Sequence, residues 1–351
     1  MTDYEELAAA RLLKLQEQAH VNVLAIETSC DETAAAVVRN GREVLANTVY
    51  SQIPLHQKYG GVVPELASRN HVLQLNPTVA AALADASLSY NEIDAVAVTA
   101  RPGLIGALLT GVSYAKGLAY ALGIPFWGVD HIAGHIAANY LSHPSLTPPF
   151  TCLVASGGHS HIFQVEDYNT LTLLGATRDD AAGEAFDKVA RVLGLPYPGG
   201  PALEALAKEG DPHAISFPAG YNSGDGLDFS FSGLKTAVIN YLHTAEQRGE
   251  AISRANVAAS FQRSVIEVLT SKAVRAAQQQ HSSALALAGG VSANRALAGS
   301  LRTAAEAANV SFFSPELKYC TDNAAMIGCA GYYALRLGLR DTLALNACAR
   351  R

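Results

Sequence analysis

Two stretches of the chain are apolar on both sides of a short polar break. In the first, residues 21–26 and 34–38 flank a turn made of Glu27, Thr28, Ser29, Cys30, Asp31, Glu32 and Thr33. In the second, which begins at Thr151, apolar residues flank Ser156, Gly157, Gly158, His159 and Ser160. Short apolar runs bounded by turn residues read as strands. Each strand–turn–strand unit is followed later by an apolar strand, a glycine-bearing loop and a helical pattern, once at residues 93–111 and again at 284–297. The same order occurring twice predicts an α/β chain with a duplicated fold and a cleft between its halves.

Between the copies, Pro144, Pro148 and Pro149 interrupt any helix and mark a boundary. The organisation expected is a helical extension at 1–20, a first lobe at 21–148 and a second lobe at 149–340. An insertion is expected near 170–250, and 341–351 is read as a tail. The helix at 324–337 is expected to pack back on the first lobe. The extension reads as amphipathic through Leu7, Leu12, Leu13 and Leu15. Ser230 or Ser232 is expected to cap a helix starting near Leu234.

Composition narrows the class. The 351 residues, 49% of them hydrophobic, suffice for two cores. A net charge of −6 argues against a surface dominated by nucleic-acid binding, so RNA contact is expected to be local or shared with a partner. Five cysteines, an odd number with no C-x-x-C spacing, suit a reducing compartment. The start is acidic where a signal peptide is basic. No apolar run approaches the roughly 20 residues that span a bilayer. A soluble, cytoplasmic protein without membrane attachment is expected.

The sharpest chemical signal is His131 and His135, four apart in an apolar helical pattern and so on one helix face, where both imidazoles can reach one metal ion. Two partly buried helix histidines bonded to backbone give the same spacing. No Glu follows His131, so the arrangement is not that of H-E-x-x-H proteases, and the metal reads as a Lewis acid or substrate template. A third, carboxylate ligand is open between Asp130, next to His131, and Asp322, which sits where a helix N-cap belongs. The first turn offers hydroxyls and carboxylates that can hold phosphate oxygens, Mg²⁺ or an amine, and an ordinary polar hairpin loop looks the same. The turn at 156–160 and the segment 289–294 suit the approach of a backbone to a phosphate or adenosine. Gly103, Gly106 and Gly111 read as packing glycines.

Taken together, I-E-T-S-C-D-E-T at 26–33, G-G-V-V-P-E-L-A-S-R-N-H at 60–71, R-P-G-L-I-G-A-L at 101–108 and D-H-I-A-G-H at 130–135 form a recognisable series. It continues with S-G-G-H-S at 156–160, G-E-A-F-D-K-V-A-R at 183–191, P-G-G-P at 198–201, F-S-F-S-G-L-K-T at 229–236, G-G-V-S-A-N at 289–294 and T-D-N at 321–323. These motifs resemble the bacterial form of the TsaD family, the tRNA N6-adenosine threonylcarbamoyltransferases once called O-sialoglycoprotein endopeptidases. The resemblance covers about residues 22–340. It implies the duplicated Hsp70/actin/sugar-kinase-like (RNase H-like) fold and transfer of threonylcarbamoyl from threonylcarbamoyl-AMP to adenosine next to the anticodon of tRNAs that read codons starting with A. It implies one divalent ion, Fe²⁺ or Zn²⁺, held by His131, His135 and Asp322. Substrate contacts fall on Val154, Ala155, Ser156, Gly157, Gly158, Asp187, Gly200, Glu204 and Asn294, with ATP or ADP and Mg²⁺ as further occupants. TsaB-like and TsaE-like proteins are the implied partners, and a TsaC-type enzyme makes the adenylate. Asp31 or Glu32 suits the general base, and Lys188 a contact to the AMP phosphate. Glu204 stands where many members have Asp, and Ser160 and His161 depart from the commoner Thr and Gln or Glu. A small-molecule kinase or ATPase of this fold and a metal-dependent glycoprotein endopeptidase are the alternatives; the first needs no paired histidines, and the second lacks a placed base.

Overall fold

A computed structural model describes residues 3–217 and 226–350; part of the segment read as an insertion, 218–225, lies outside the described residues. Its two units are Met1–Thr147 with Asp167–Thr170 and Pro315–Arg351, and Pro148–Glu166 with Leu171–Ser314.

In the first unit the apolar runs around the polar turn form β1 (Asn22–Glu27) and β2 (Glu32–Arg39), with β3 (Glu43–Ser51) completing an antiparallel meander. β4 (Ala95–Arg101) pairs parallel with β1, and β5 (Phe126–Asp130) parallel with β4, giving the order β3-β2-β1-β4-β5. The second unit repeats this with β6 (Phe150–Ala155), β7 (Ser160–Val165), β8 (Leu171–Ala176), β9 (Ala284–Ala288) and β10 (Ser311–Phe313), in the order β10-β9-β6-β7-β8. Two antiparallel pairings followed by two parallel ones in each unit is the duplicated α/β architecture that the sequence repeat predicts.

β1, β2 and β4 are buried almost throughout because both faces of the first sheet are covered. On one face Leu24, Ile26, Val37, Val96 and Val98 meet the helices Pro64–Asp85 and Ile105–Leu122 through Leu75, Val79, Val112 and Ala115. The opposite face presents small residues. Its covering helix, Ala324–Arg336, comes so close that a Cβ on Gly328 would lie 2.7 Å from Val38 and one on Gly331 2.4 Å from Ala97. The helix His131–Ser142 lies alongside, where a Cβ on Gly134 would meet Ile327 at 2.6 Å. Gly103, Gly106 and Gly111 are close-packing positions as read: their Cβ atoms would meet Ser29, Ser68 and Thr28 at 2.4–2.6 Å.

Three local expectations differ from the structure. Helix Ile105–Leu122 is long and apolar enough by length and composition to cross a membrane, although no such run was anticipated; one face packs on β4 and the Pro64–Asp85 helix. In the N-terminal helix, Asp3–Glu17, Leu12 and Leu15 are buried with Tyr4 and Ala8, whereas Leu7 and Leu13 face solvent. Neither Ser230 nor Ser232 caps the helix Ser232–Arg248. Asp179, distant in sequence, accepts the Phe231 and Ser232 N–H groups and the Ser230 hydroxyl.

Gly331→Ala gains up to about 1 kcal/mol of helix propensity but forces a methyl into Ala97. Overpacking costs about 1–3 kcal/mol, so a lower urea midpoint with an unchanged slope is expected, and an unchanged or higher midpoint would contradict this packing.

Candidate functional site

Each strand of the first sheet that runs in the β1 direction ends at the same edge. β5 ends at Asp130, whose Oδ1 accepts the Ile132 N–H at 2.9 Å and so caps the helix carrying His131 and His135. Asp130 also faces Arg101 at 3.6 Å. Of the two carboxylates left open by spacing, the structure brings Asp322 to the histidines. Its Oδ1 lies 3.4 Å from His131 Nε2 and 3.3 Å from His135 Nε2, and the candidate ligand atoms of the three residues all lie within 4.8 Å of one another. Asp322 is not the N-cap that its position suggests. Asn323 takes that role, accepting the Met326 N–H at 3.1 Å, which leaves the Asp322 carboxylate to the imidazoles.

Behind His131 stands Glu27, at the end of β1 and fully buried. Its Oε2 lies 2.9 Å from His131 Nδ1 and accepts the Thr99 hydroxyl, and its Oε1 accepts the Ser29 N–H. A carboxylate on Nδ1 fixes the tautomer and turns Nε2 outward as a ligand. His135 Nε2 is buried and has no hydrogen-bond partner among the described residues. Two imidazole nitrogens, one carboxylate and a carboxylate behind one imidazole make a donor set able to hold a divalent ion. Glu27 went unnoticed in the sequence because its turn offers three carboxylates with nothing local to separate them.

Burial works against charge on every member of this group. For His131 the Glu27 and Asp322 carboxylates outweigh it and hold the imidazole well above its ordinary value. Burial likewise opposes ionisation of Asp322 and Glu27, and the imidazole partners outweigh it and hold both below the usual range. For His135 burial and the neighbouring His131 act together and lower it.

Asp31 and Glu32 follow in the same turn and are not among these candidate ligands. Burial raises Asp31, and burial followed by the Asp31 charge pushes Glu32 up to about 8. Glu32 Oε1 accepts the Ser51 hydroxyl at 2.9 Å. His56 and His71 are both fully buried. His71 ties the turn together, with Nε2 2.9 Å from the Cys30 carbonyl and Nδ1 2.8 Å from the Thr33 hydroxyl.

The second unit holds a cavity of about 160 Å³ whose lining includes Gly157, Asp187, Gly200, Glu204 and Asn294. Asp187 accepts the Gly199 and Gly200 N–H groups at 2.8 and 3.2 Å, Glu204 accepts the Arg295 N–H at 3.1 Å, and Asn294 caps the helix Arg295–Ala307. Val154 and Ala155 lie within β6, buried in the sheet, while Ser156 and Gly158 belong to the turn beyond it and do not line the cavity. The Gly183 N–H donates to Ser156 O, and a Cβ on Gly289 would meet Ala155 O at 2.4 Å; these glycines let the loops close around the cavity. Lys188 is already paired, at 2.8 Å from both Asp180 and Glu184.

Residues 43–329 match the family described as TsaD: tRNA N6-adenosine threonylcarbamoyltransferase. A protein of that name from Moorella thermoacetica is 58% identical over 326 residues, spanning 93% of this chain and 95% of the relative. The chain belongs to the TsaD family. Among solved structures, HypF of T. kodakarensis aligns with a TM-score of 0.62 at 17% identity, over 91% of this TsaD-family chain and 48% of HypF. The ROK hexokinase of Thermus thermophilus aligns at 0.50 with 14% identity, over 90% and 100%. These likenesses establish the actin/Hsp70/sugar-kinase-like fold.

Because His131 must shed a proton at Nε2 to bind a metal, affinity is expected to fall as pH is lowered, with proton release on binding. Glu27→Gln is expected to weaken Zn²⁺ binding about 10- to 100-fold in a chelator competition, and unchanged affinity in the folded variant would contradict the role given to Glu27.

Proposed function

We propose that this chain transfers the threonylcarbamoyl group of threonylcarbamoyl-AMP to N6 of the adenosine beside the anticodon in tRNAs reading codons that start with A. Family membership across most of the chain supports this, and the observation that carries it is the convergence of His131, His135 and Asp322 with Glu27 behind them.

In this reading His131, His135 and Asp322 hold one Fe²⁺ or Zn²⁺ ion, which when bound supplies Lewis-acid polarisation of the carbamoyl carbonyl. The chain's own groups do the rest. The adenylate is held by the Val154–Gly158 strand end and turn, with Asp187, Gly200, Glu204 and Asn294 around the cavity; backbone N–H groups and the Asn294-capped helix start suit its phosphate and ribose. ATP or ADP, with Mg²⁺, is a further occupant. Asp31 or Glu32 accepts the proton from the attacking amine. Glu32, near 8, is matched to proton transfer close to neutrality. Lys188, committed to Asp180 and Glu184, is less suited to the leaving phosphate.

Partners in this reading are tRNA, a TsaB-like and a TsaE-like protein, and an upstream TsaC-type adenylate-forming enzyme, all in the cytoplasm. The surface we assign to the TsaB-like partner is the glycine- and alanine-rich helix Ile105–Leu122 with its neighbour Pro64–Asp85. Ile105, Leu109, Val72 and Leu73 are exposed there, and an unpartnered apolar face suits a docking helix.

Incubation with threonylcarbamoyl-AMP, unmodified tRNA and the two partner proteins is expected to yield threonylcarbamoyladenosine by mass spectrometry of digested tRNA. His131→Ala is expected to lower the rate at least about 100-fold, and an unchanged rate would contradict the scheme. The rate is expected to rise with pH through about 8, as Glu32 ionises and can accept a proton. Glu32→Gln is expected to flatten that rise, and the same rise in the variant would move the base to Asp31.

A further inference from the structure

The two helices that bring the candidate ligands together share a second tie, at their far ends, that the scheme above leaves unused. His131 and His135 open the helix His131–Ser142, and Asp322 stands just ahead of the helix Ala324–Arg336. The helices lie side by side, run in the same direction and are in register. Gly134 and Ile327, each three residues past a helix start, pack together, and Tyr140 and Tyr333, each nine past, have ring centroids 5.8 Å apart. Both helices thus begin at the ligands and finish together away from them.

At that finish stands Arg42, in the turn between β2 and β3. Asn40 and Gly41 take left-handed backbone there, at φ 52° and 71°. A Cβ on Gly41 would lie 2.3 Å from Tyr332, so the turn presses directly on the Ala324–Arg336 helix. Arg42 Nε donates to the Tyr333 hydroxyl at 2.6 Å. One terminal nitrogen donates to the carbonyls of Tyr140, His143 and Pro144 at 3.1, 3.3 and 3.2 Å. The other donates to Leu146 O at 3.2 Å and to the Tyr168 hydroxyl at 3.3 Å. The last carbonyls of a helix have no partner within it and carry partial negative charge. The planar guanidinium fork meets several of them at once and still reaches the neighbouring helix, which a lysine ammonium at the same place would not.

We infer that Arg42 is a positioning residue for the metal centre: by tying the end of the histidine-bearing helix to Tyr333, it fixes how far one helix slides along the other and so where Asp322 stands against His131 and His135. This rests on the metal site proposed above. Packing alone leaves that slide poorly defined, because the surfaces in contact near the helix starts are a glycine and the flexible end of Ile327. A metal ion is less tolerant, since ligand distances are held to within about 0.2 Å. A slide too small to disturb the core is enough to take the Asp322 carboxylate, now 3.3–3.4 Å from both Nε2 atoms, out of a shared coordination sphere. Arg42 touches none of the three ligands and acts on them only through the helices.

The test is Zn²⁺ affinity by chelator competition on the full chain, under conditions where urea titration shows each variant folded. Arg42→Gln is expected to bind Zn²⁺ about 10-fold more weakly, as outer partners of metal ligands do when lost. Tyr333→Phe, which removes only the hydroxyl that Arg42 Nε donates to, is expected to lose about 3-fold, the worth of one hydrogen bond, and to lose nothing further when added to Arg42→Gln. Val79→Ala truncates the core on the opposite face of the sheet. It lowers stability without touching either helix, and it is expected to keep the affinity of the unaltered chain. An unchanged affinity in Arg42→Gln, losses that multiply in the double variant, or an equal loss in Val79→Ala would overturn the role given to Arg42. If Arg42→Gln does not fold, Tyr333→Phe decides, and an unchanged affinity there overturns it. His131→Ala that binds Zn²⁺ as the unaltered chain does would instead refute the metal centre itself.

Discussion

The contact on which the site depends is the buried pair between Glu27 and His131. A carboxylate with no solvent exposure is costly unless paired and hydrogen-bonded. Glu27 meets that demand with the Ser29 N–H, the Thr99 hydroxyl and His131 Nδ1. These partners come from the β1–β2 turn, from β4 and from the helix after β5, so the pair joins three parallel-running elements at one edge of the sheet. It also sets which nitrogen of His131 faces Asp322. Removing one member leaves the other charge uncompensated in the interior, a change felt as both instability and a misdirected ligand.

A second constraint is the thinness of the sheet's small-residue face. Ala25 and Ala97 meet Gly328 and Gly331, and Gly134 lets the two covering helices touch. Only this close approach carries the loop ahead of Ala324–Arg336 to the histidines. Asn323 takes the capping work, and the preceding aspartate is free of it. The same logic operates in the second unit, where Gly183 and Gly289 press against Ser156 and Ala155 and bring separate loops around one cavity.

What was legible in the sequence is what local periodicity encodes. The strand–turn–strand repeat predicted two sheets of one topology, and both have it. The spacing of His131 and His135 predicted one helix face, and both Nε2 atoms look toward the same oxygen. What escaped was set by partners distant in the chain. Nothing near Glu27 distinguishes it from Asp31 and Glu32; its role comes from His131, 104 residues away. Asp179 caps a helix that local serines seemed placed to cap. Leu7 and Leu13 look like core on a helical wheel, and the docking of their helix through Tyr4, Ala8, Leu12 and Leu15 decides otherwise.

The most direct test of the central claim is X-ray absorption at the metal edge of the purified, Zn²⁺-loaded chain. The account predicts one ion per chain with two imidazole nitrogens at about 2.0–2.1 Å, a carboxylate oxygen at about 2.0–2.2 Å and no sulfur neighbour. A shell containing thiolate sulfur, or one without imidazole, would contradict it.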